Sequence, residues 1–263
     1  FAIPPSPPYS GPEIVGDLML RADMGPSFEV VHVRTNVHRQ NAAKGRVNLV
    51  SLLALGRVWS RLVRAIQRAR PPIVFLYLSQ NWTGFVRDTV LICTARLMGA
   101  SVIAQVHGAN FANFYEHSPR WRRPIIRRVV RSLSSVLVLA DRFRYQFEQL
   151  CPARRVGVLH NPIMAEAFEP RTGGNQALKA EDGCRILFMG HLSTAKGFVD
   201  LMNAVPLVFD ACPDVRFDFS GEWLSFEENI LHGERGEPIV HDAVAIAETW
   251  TTLQRRYPGH VRY

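Results

Sequence analysis

The sequence contains no run of eighteen apolar residues, and this absence excludes a helix long enough to cross a membrane. It also has no internal repeat and no low-complexity tract. Of its 263 residues, 47% are hydrophobic and 21% are charged, which is the ordinary composition of a globular protein. The length is sufficient for one large or two modest domains with cores of their own.

Cysteine is scarce, and the four cysteines are too widely spaced for the paired motifs of structural zinc sites. A secreted disulfide framework is typical of far shorter chains. We therefore expect four buried thiols in a reducing, cytoplasmic environment: Cys93, Cys151, Cys184 and Cys212. No cluster of metal ligands and no Asp-x-Asp motif is present, so we expect neither a metal nor a cofactor.

The two ends of the sequence resemble interrupted strands. Phe1-Ala2-Ile3 has no initiator Met and no basic-then-apolar signal pattern, and it is typical of the tail of a strand. Val261-Arg262-Tyr263 is typical of the first residues of a strand. We expect a chain that is truncated at both ends.

Positive charge is in excess, with a formal net charge of +8 and an isoelectric point near 9.8. Such an excess favours anionic partners, namely nucleic acid, acidic lipid headgroups or phosphorylated substrates. The arginines concentrate in two segments of helical periodicity, Arg57–Arg70 and Arg120–Arg131. Nucleic acid is the least favoured partner, because no recognisable binding module accompanies these charges.

Two interpretations of Arg120–Arg131 remain open. Its arginines are either solvated on a partly buried surface helix, or they bind anionic headgroups of a membrane. In the second case the interface would also contain aromatic side chains, namely Trp121, Phe111, Phe114 and Tyr115.

Apolar strands alternate with amphipathic helices through the first 163 residues. The patterns predict strands at 28–33, 73–78, 101–106, 135–139 and 156–159, and helices at 12–24, 47–70, 83–98 and 141–150, the last capped by Asp141. Such alternation is typical of parallel, doubly wound α/β sheets. We predict a Rossmann-like domain over 1–163, a charged, glycine-containing linker over 164–183, and a second, partial Rossmann-like domain over 184–263.

The second domain opens with a strand, a short basic loop, a helix and another strand. Ile186 to Met189 is apolar and stops at Gly190, a helix is predicted over 198–209, and a second strand over 215–219. In such units the loop after the first strand lies at the carboxyl edge of the sheet, where open α/β folds bind ligands. The positive helix N-terminus and the ammonium group of Lys196 suit a phosphate ester.

The residues of this loop resemble a known family. Gly190-His191-Leu192, followed by Lys196-Gly197 and Asp200-Leu201, is similar to the opening of the donor-binding domain in retaining glycosyltransferases of family four. The usual pattern there is Gly-Arg-Leu followed by Lys-Gly, so His191 replaces an arginine. The resemblance implies that Gly190, His191 and Lys196 contact the donor diphosphate.

Two motifs of the first domain extend the resemblance over nearly the whole chain. Ser10-Gly11-Pro12-Glu13 resembles the family's Gly-Gly-x-Glu loop, with Gly11 at the second glycine, near the donor phosphates, and Ser10 departing from the first. His107-Gly108-Ala109-Asn110 matches a His-Gly loop at the carboxyl end of a central strand. The resemblance places His107 beside the transferred sugar, with Ser10, Gly108 and Asn110 on the acceptor and sugar side. We expect His107 to act by hydrogen bonding rather than as a base.

The family has the GT-B fold, in which two such domains face each other across a cleft. The resemblance implies retaining transfer of a hexose from a nucleotide diphosphate sugar to a carbohydrate or lipid-linked acceptor, in the cytoplasm or on the inner face of its membrane. Lys196, His191 when protonated, and N–H groups near Gly11 would stabilise the leaving diphosphate without a metal. The family's paired glutamates would lie beyond Tyr263, so we expect this chain to have little or no transferase activity alone.

Two other functions remain as alternatives. A non-catalytic module could bind membranes or polyanions through Arg57–Arg70 and Arg120–Arg131, with the sheets as scaffold. Nucleotide-sugar epimerases also resemble GT-B proteins, although their acidic-and-histidine catalytic pattern is not found in this sequence.

Overall fold

The computed structural model describes residues 1–6, 11–35, 49–163, 184–223 and 243–263. The chain forms two compact units, Phe1–Phe168 and Glu169–Tyr263. The predicted linker at 164–183 lies outside the described residues, as does Ser10.

The first unit contains a six-stranded sheet in which every pair of neighbouring strands is parallel. The strands are β1 (Ala2–Ile3), β2 (Val33–Arg34), β3 (Ile73–Tyr77), β4 (Ser101–Gln105), β5 (Ser135–Val138) and β6 (Val156–Val158). Their order is β2-β1-β3-β4-β5-β6, which reverses direction between β1 and β3. This is a Rossmann-like α/β fold, as the alternation of strands and helices predicted.

Five α-helices of the first unit are described: α1 (Gly11–Arg21), α2 (Leu49–Ala69), α3 (Trp82–Leu97), α4 (Phe111–Glu116) and α5 (Arg122–Ser132). Val74 and Leu76 of β3 belong to the buried cluster that also contains residues of α2, α3 and α5. Phe75 and Tyr77 point to the opposite face and pack near Met19 of α1. The fully apolar β3 therefore has helices on both faces, as is expected for a parallel sheet.

Several local predictions for this unit are wrong. The strand predicted at 28–33 is reduced to β2, because Phe28 and Val30 are exposed at the edge of the sheet. Asp141 does not cap a helix but lies inside a 3₁₀ helix, Asp141–Phe147, where it pairs with Arg144 at 2.6 Å. Helix α4 was not predicted at all.

The expected burial of all four cysteines is also wrong. All four are free thiols, but only Cys151 is buried; Cys93 and Cys184 are exposed, and Cys212 is half-buried. Cys93 lies on the solvent side of α3, and Cys184 precedes the first strand of the second unit. Position within an apolar run did not distinguish the buried side of α3 from the exposed one.

The second unit contains a three-stranded parallel sheet in the order β7 (Arg185–Met189), β8 (Arg216–Ser220) and β9 (Val261–Arg262). Helices α6 (Phe198–Ala211) and α7 (Ala243–Arg256) contribute to one buried cluster with Phe217 and Phe219 of β8. Leu187 and Met189 point to the other face and are 63% and 80% exposed. In the described part of this unit, helices cover one face of the sheet.

No helix among the described residues is both long enough and apolar enough to span a membrane.

Candidate functional site

The carboxyl ends of β1, β3 and β4 bring three loops to one edge of the first sheet. Helix α1 follows β1, Gln80 follows β3, and His107 follows β4. Because the strand order reverses between β1 and β3, this edge is the topological switch point, where open α/β sheets bind ligands. The loop after β3 is anchored by Asp88, whose buried carboxylate accepts a hydrogen bond from the N–H of Ser79 at 2.8 Å.

Gln80 holds the His-Gly loop by both ends of its amide. Its Nε2 donates to the carbonyl of His107 at 2.8 Å, and its Oε1 accepts from the N–H of Asn110 at 2.7 Å. Gly108 has φ of +134°, and a Cβ at this position would lie 2.7 Å from Nε2 of Gln80. The backbone angle therefore requires glycine, and a Cβ would also displace the amide of Gln80.

Gln146 holds the same loop from the opposite side. It lies in the 3₁₀ helix Asp141–Phe147 and is buried, with 3% of its surface exposed. Its Nε2 donates to the carbonyl of Gly108 at 3.2 Å, and its Oε1 accepts from the N–H of Phe111 at 2.8 Å. With these bonds satisfied, the loop has a defined position although it belongs to no strand or helix.

The imidazole of His107 lies between protein and solvent, in edge-to-face contact with the Tyr77 ring at 4.0 Å between centroids. Its Nε2 atom is buried and has no hydrogen-bond partner among the described residues. Burial lowers the pKa of His107 to about 4, and the nearby charge of Glu13 opposes this shift. His107 is therefore neutral at pH 7, and its unpaired ring nitrogen can donate to or accept from a ligand.

Helix α1 brings a second acidic group to this edge. Glu13 lies in its first turn, where a carboxylate interacts favourably with the helix dipole, and it is only 5% exposed. The pKa of Tyr77 is raised, mainly by burial and further by the charges of Glu13 and Asp17. Gly11 begins the helix, and a Cβ at this position would meet no atom within 4 Å, so the fold itself does not require glycine there.

In the second unit, the first two strands both end in glycine. Gly190 follows β7 with φ of +152°, and Gly221 follows β8 with φ of +153°. The N–H of Gly190 donates to the carbonyl of Ser220 at 2.9 Å. A Cβ at Gly221 would lie 1.7 Å from the carbonyl oxygen of Gly190, whereas one at Gly190 would meet open space. The backbone segments at Gly190 and Gly221 lie so close together that Gly221 allows no side chain.

The basic loop after β7 carries the two predicted cationic residues. His191 is half-buried, and its Nδ1 is buried without a hydrogen-bond partner among the described residues. Lys196 is exposed and ends a short 3₁₀ helix, Thr194–Lys196. Gly197, with φ of +74°, is the N-cap of α6 and provides no side-chain cap. Asp200 lies in the first turn of α6, so its carboxylate is close to the N-terminus of this helix, as Lys196 is.

The predicted site residues therefore fall into two groups on separate units. His107, Gly108 and Asn110 share one loop, and Gly11 begins the helix after a neighbouring strand. Gly190, His191 and Lys196 share the loop after β7.

Sequence reasoning missed three residues that shape the first group, namely Glu13, Gln80 and Gln146. Glu13 was part of the glycine motif, and Gln80 follows an apolar strand just as His107 does, so both carried a usable signal. Gln146 carried none: a helix was predicted over 141–150, but no local pattern indicated that this side chain would reach the His107 loop.

The predicted basic helices are present, and their arginine side chains are mostly exposed. Arg122 of α5 lies over the rings of Trp82 and Trp121, with its guanidinium carbon 4.4 and 4.9 Å from the two centroids. Trp121 is 59% exposed and Ile125 is 41% exposed. The other aromatic residues expected at a membrane interface are packed inward. Phe111 and Tyr115 belong to the core and Phe114 is half-buried, because α4 turns these side chains toward α3 and α5.

Among the described residues, no group of three or more His, Cys, Asp or Glu side chains could hold a metal ion. Neither a protein-family model nor a curated protein sequence matches the chain.

Proposed function

We propose that the chain belongs to a retaining glycosyltransferase of GT-B type, which takes a hexose from a nucleotide diphosphate sugar. One observation carries this proposal. The loop of His107 is held by two glutamines at the switch point of a Rossmann-like sheet, and it presents a buried ring nitrogen without a protein partner. A preorganised polar atom at this edge supports a ligand-binding role.

The neutral state of His107 supports a particular role at that site. With a pKa of about 4, the imidazole is not a cation at pH 7 and is a weak base. Hydrogen bonding through Nε2 to a sugar hydroxyl or a diphosphate oxygen remains available. Because the two glutamines fix its loop, the imidazole would need little reorganisation when the substrate binds.

The loop after β7 would hold the donor diphosphate. Opening of the glycosidic bond leaves negative charge on the diphosphate, and Lys196 together with the N-terminus of α6 would stabilise it. The buried Nδ1 of His191 could provide a further hydrogen bond. Gly190 has a positive φ, and a Cβ at this position would meet no atom within 4 Å. The space beside its backbone is therefore open, which supports close approach of a phosphate.

The experiment is a calorimetric titration of nucleotide diphosphate sugars carrying uridine, guanosine or adenosine. His107→Ala is expected to weaken binding about tenfold, as for the loss of one hydrogen bond to a charged group. His117→Ala, at the exposed end of α4, is the matched control and is expected to bind as the unaltered protein does. Equal affinities for all three proteins would contradict the role of His107.

A second candidate function is binding to an anionic membrane surface through α5. The exposed Trp121 and Ile125 would enter the interface while Arg128 contacts lipid phosphates, an arrangement typical of interfacial helices. Sedimentation with vesicles of phosphatidylglycerol tests it. Ile125→Ala is expected to reduce binding, whereas Leu97→Ala, which removes an even more exposed aliphatic side chain from α3, is not. Binding that ignores both lipid charge and salt would contradict this function.

A further inference from the structure

A pocket of about 620 Å³ lies between α2 and the chain around β2, away from the carboxyl edge of the sheet. It is lined by four arginines, Arg34, Arg61, Arg64 and Arg68, together with Glu29 and His32. Glu29 precedes the edge strand β2, and β1 and β3 lie between this strand and β4, which carries His107. The pocket is therefore distinct from the proposed site at the ends of β1, β3 and β4.

The periodicity of α2 directs three of these arginines to one side. Arg61, Arg64 and Arg68 recur at steps of three and four residues, whereas Leu62 and Ile66 are buried in the core. The fourth comes from a different element. Arg34 lies on β2 beside Val33, which is buried in the same cluster as Leu62 and Ile66 of α2, and it is part of the pocket lining. A stripe on a single helix is usually only a solvated face, but here two elements form a concave wall.

Few of the pocket's donors are used within the protein. Arg64 donates from Nε to the carbonyl of Ser60 and from Nη2 to its hydroxyl, each at 3.2 Å. Arg34 donates from Nη2 to the carbonyl of Ser6 at 3.1 Å. Each guanidinium has five N–H donors, so most of them remain available. In the part of the chain that the structure describes, no hydrogen bond or ion pair engages the side chains of Arg61 and Arg68.

The charge of the pocket is strongly positive. Glu29 is the acidic residue of its lining, and no ion pair within the described residues joins it to an arginine. His32 lies with Nε2 3.1 Å from the carbonyl oxygen of Ile3, so this nitrogen carries the proton. Three guanidinium groups of α2 along one concavity, with Arg34 also in its lining, suit an anion with several oxygens and more than one charge, because each planar fork can bind two oxygens.

We propose that this pocket is a binding site for a phosphate-bearing ligand with at least two negative charges. The phosphate can belong to a free molecule or to a lipid headgroup, and the recognition chemistry is the same for both. The site is independent of the proposed transferase chemistry, because no residue of its lining lies in the loops of His107 or Lys196.

The test uses inorganic pyrophosphate as the probe, titrated calorimetrically into a Lys196→Ala protein so that the donor-side cation does not contribute. Replacing Arg61 and Arg68 together by glutamine is expected to weaken binding about tenfold or more, since charge-assisted hydrogen bonds are lost. The control replaces Arg57 and Arg70 by glutamine; both are exposed and flank the pocket, and neither lines it. This control changes the net charge equally and is expected to change affinity less than threefold, as for loss of long-range attraction alone.

A second arm identifies the source of the phosphate by sedimentation with vesicles containing phosphatidic acid. Pyrophosphate binding that needs Arg61 and Arg68, without vesicle binding, supports a free ligand. Vesicle binding that needs the same pair supports a lipid headgroup. If both double variants weaken both probes equally, or if neither probe binds at millimolar concentration, the proposal is overturned. Circular dichroism of each variant verifies that the exposed substitutions leave the fold intact.

Discussion

The ring of Tyr77 meets the ring of His107 edge to face, with their centroids 4.0 Å apart and their planes at 62°. Tyr77 is the last residue of β3, and His107 lies two residues beyond the end of β4, so the contact joins the carboxyl ends of neighbouring strands. The contact buries part of the imidazole, and burial is the cause of its lowered pKa. The aromatic contact thus contributes to the burial that keeps the imidazole neutral, on a loop that Gln80 and Gln146 hold in place.

This charge state makes the stability of the first unit depend on pH. The pKa of His107 is about 4 in the folded protein, below its ordinary value of 6.5, so the unfolded state binds the proton first as the pH falls. Above pH 6.5 neither state is protonated and stability is unaffected. Between pH 6.5 and 4 the free energy of unfolding is expected to fall by up to about 3 kcal/mol from this residue.

Urea denaturation at pH 7.0, 5.5 and 4.5 measures this effect. His107→Gln removes the titrating group and is expected to flatten the loss of stability across this window. His117→Gln, in which an exposed helix-end histidine is replaced, is expected to retain the slope of the unaltered protein. Identical slopes for the two variants would show that His107 titrates normally.

The glutamine clamp, meaning the hydrogen bonds that Gln80 and Gln146 make to the loop of His107, predicts a large effect on stability when Gln80 is replaced. Gln80→Leu leaves the carbonyl of His107 and the N–H of Asn110 without their partner, and because both bonds are only partly buried the loss is expected to cost about 1–3 kcal/mol in total. Gln67→Leu on the exposed side of α2 is expected to change stability by less than about 0.5 kcal/mol. Thermal or urea denaturation measures both, and equal effects would contradict the clamp.

The crossing of Gly190 and Gly221 predicts a ranking of two otherwise similar substitutions. Both residues have positive φ, so alanine at either position introduces backbone strain of about 1–3 kcal/mol. At Gly221 the new Cβ would also collide with the carbonyl oxygen of Gly190, so Gly221→Ala is expected to be the more damaging of the two. Denaturation of the second unit provides the comparison. Equal stability of the Gly221→Ala and Gly190→Ala proteins would mean that the two backbone segments do not approach so closely.

The fold was largely predictable from the sequence, and the reasons are local. Strands β3 and β4 are apolar runs bounded by Pro71-Pro72 and Gly99, so composition and breakers determine both of them. The edge strand β2 was predicted too long because Phe28 and Val30 alternate with polar residues although neither is buried. Periodicity indicates which residues share a side, but it does not indicate whether another element covers that side.

The candidate site was predictable only in part. His107, Gly108 and Gly190 follow apolar strands directly, and the carboxyl ends of parallel strands bind ligands, so position along the chain was sufficient. The clamp joins Gln146 to Gly108 across 38 residues, and no local pattern predicts such a contact. The pocket beside α2 is also lined by Arg34 of β2. The periodicity of the arginines on α2 alone could not predict this contribution.

The helix end next to Lys196 predicts a gain of affinity from a charge-removing substitution. Asp200 lies in the first turn of α6, where its carboxylate would compete with the proposed diphosphate for the positive helix end. Asp200→Asn is expected to strengthen nucleoside diphosphate binding a few-fold, about what a helix-dipole interaction contributes. Asp210→Asn removes the same charge near the other end of α6 and is expected to leave affinity unchanged. Equal responses in calorimetry would assign the effect to net charge.

Titration of uridine, guanosine and adenosine diphosphates into the Lys196→Ala protein tests whether the loop after β7 binds the donor diphosphate, as proposed. We expect about a tenfold weaker affinity for the preferred nucleotide than in the unaltered protein. Arg255→Ala, which removes one positive charge from the last turn of α7, is expected to bind within about twofold of the unaltered protein. Equal binding by the unaltered protein and Lys196→Ala would mean that Lys196 does not contact the diphosphate.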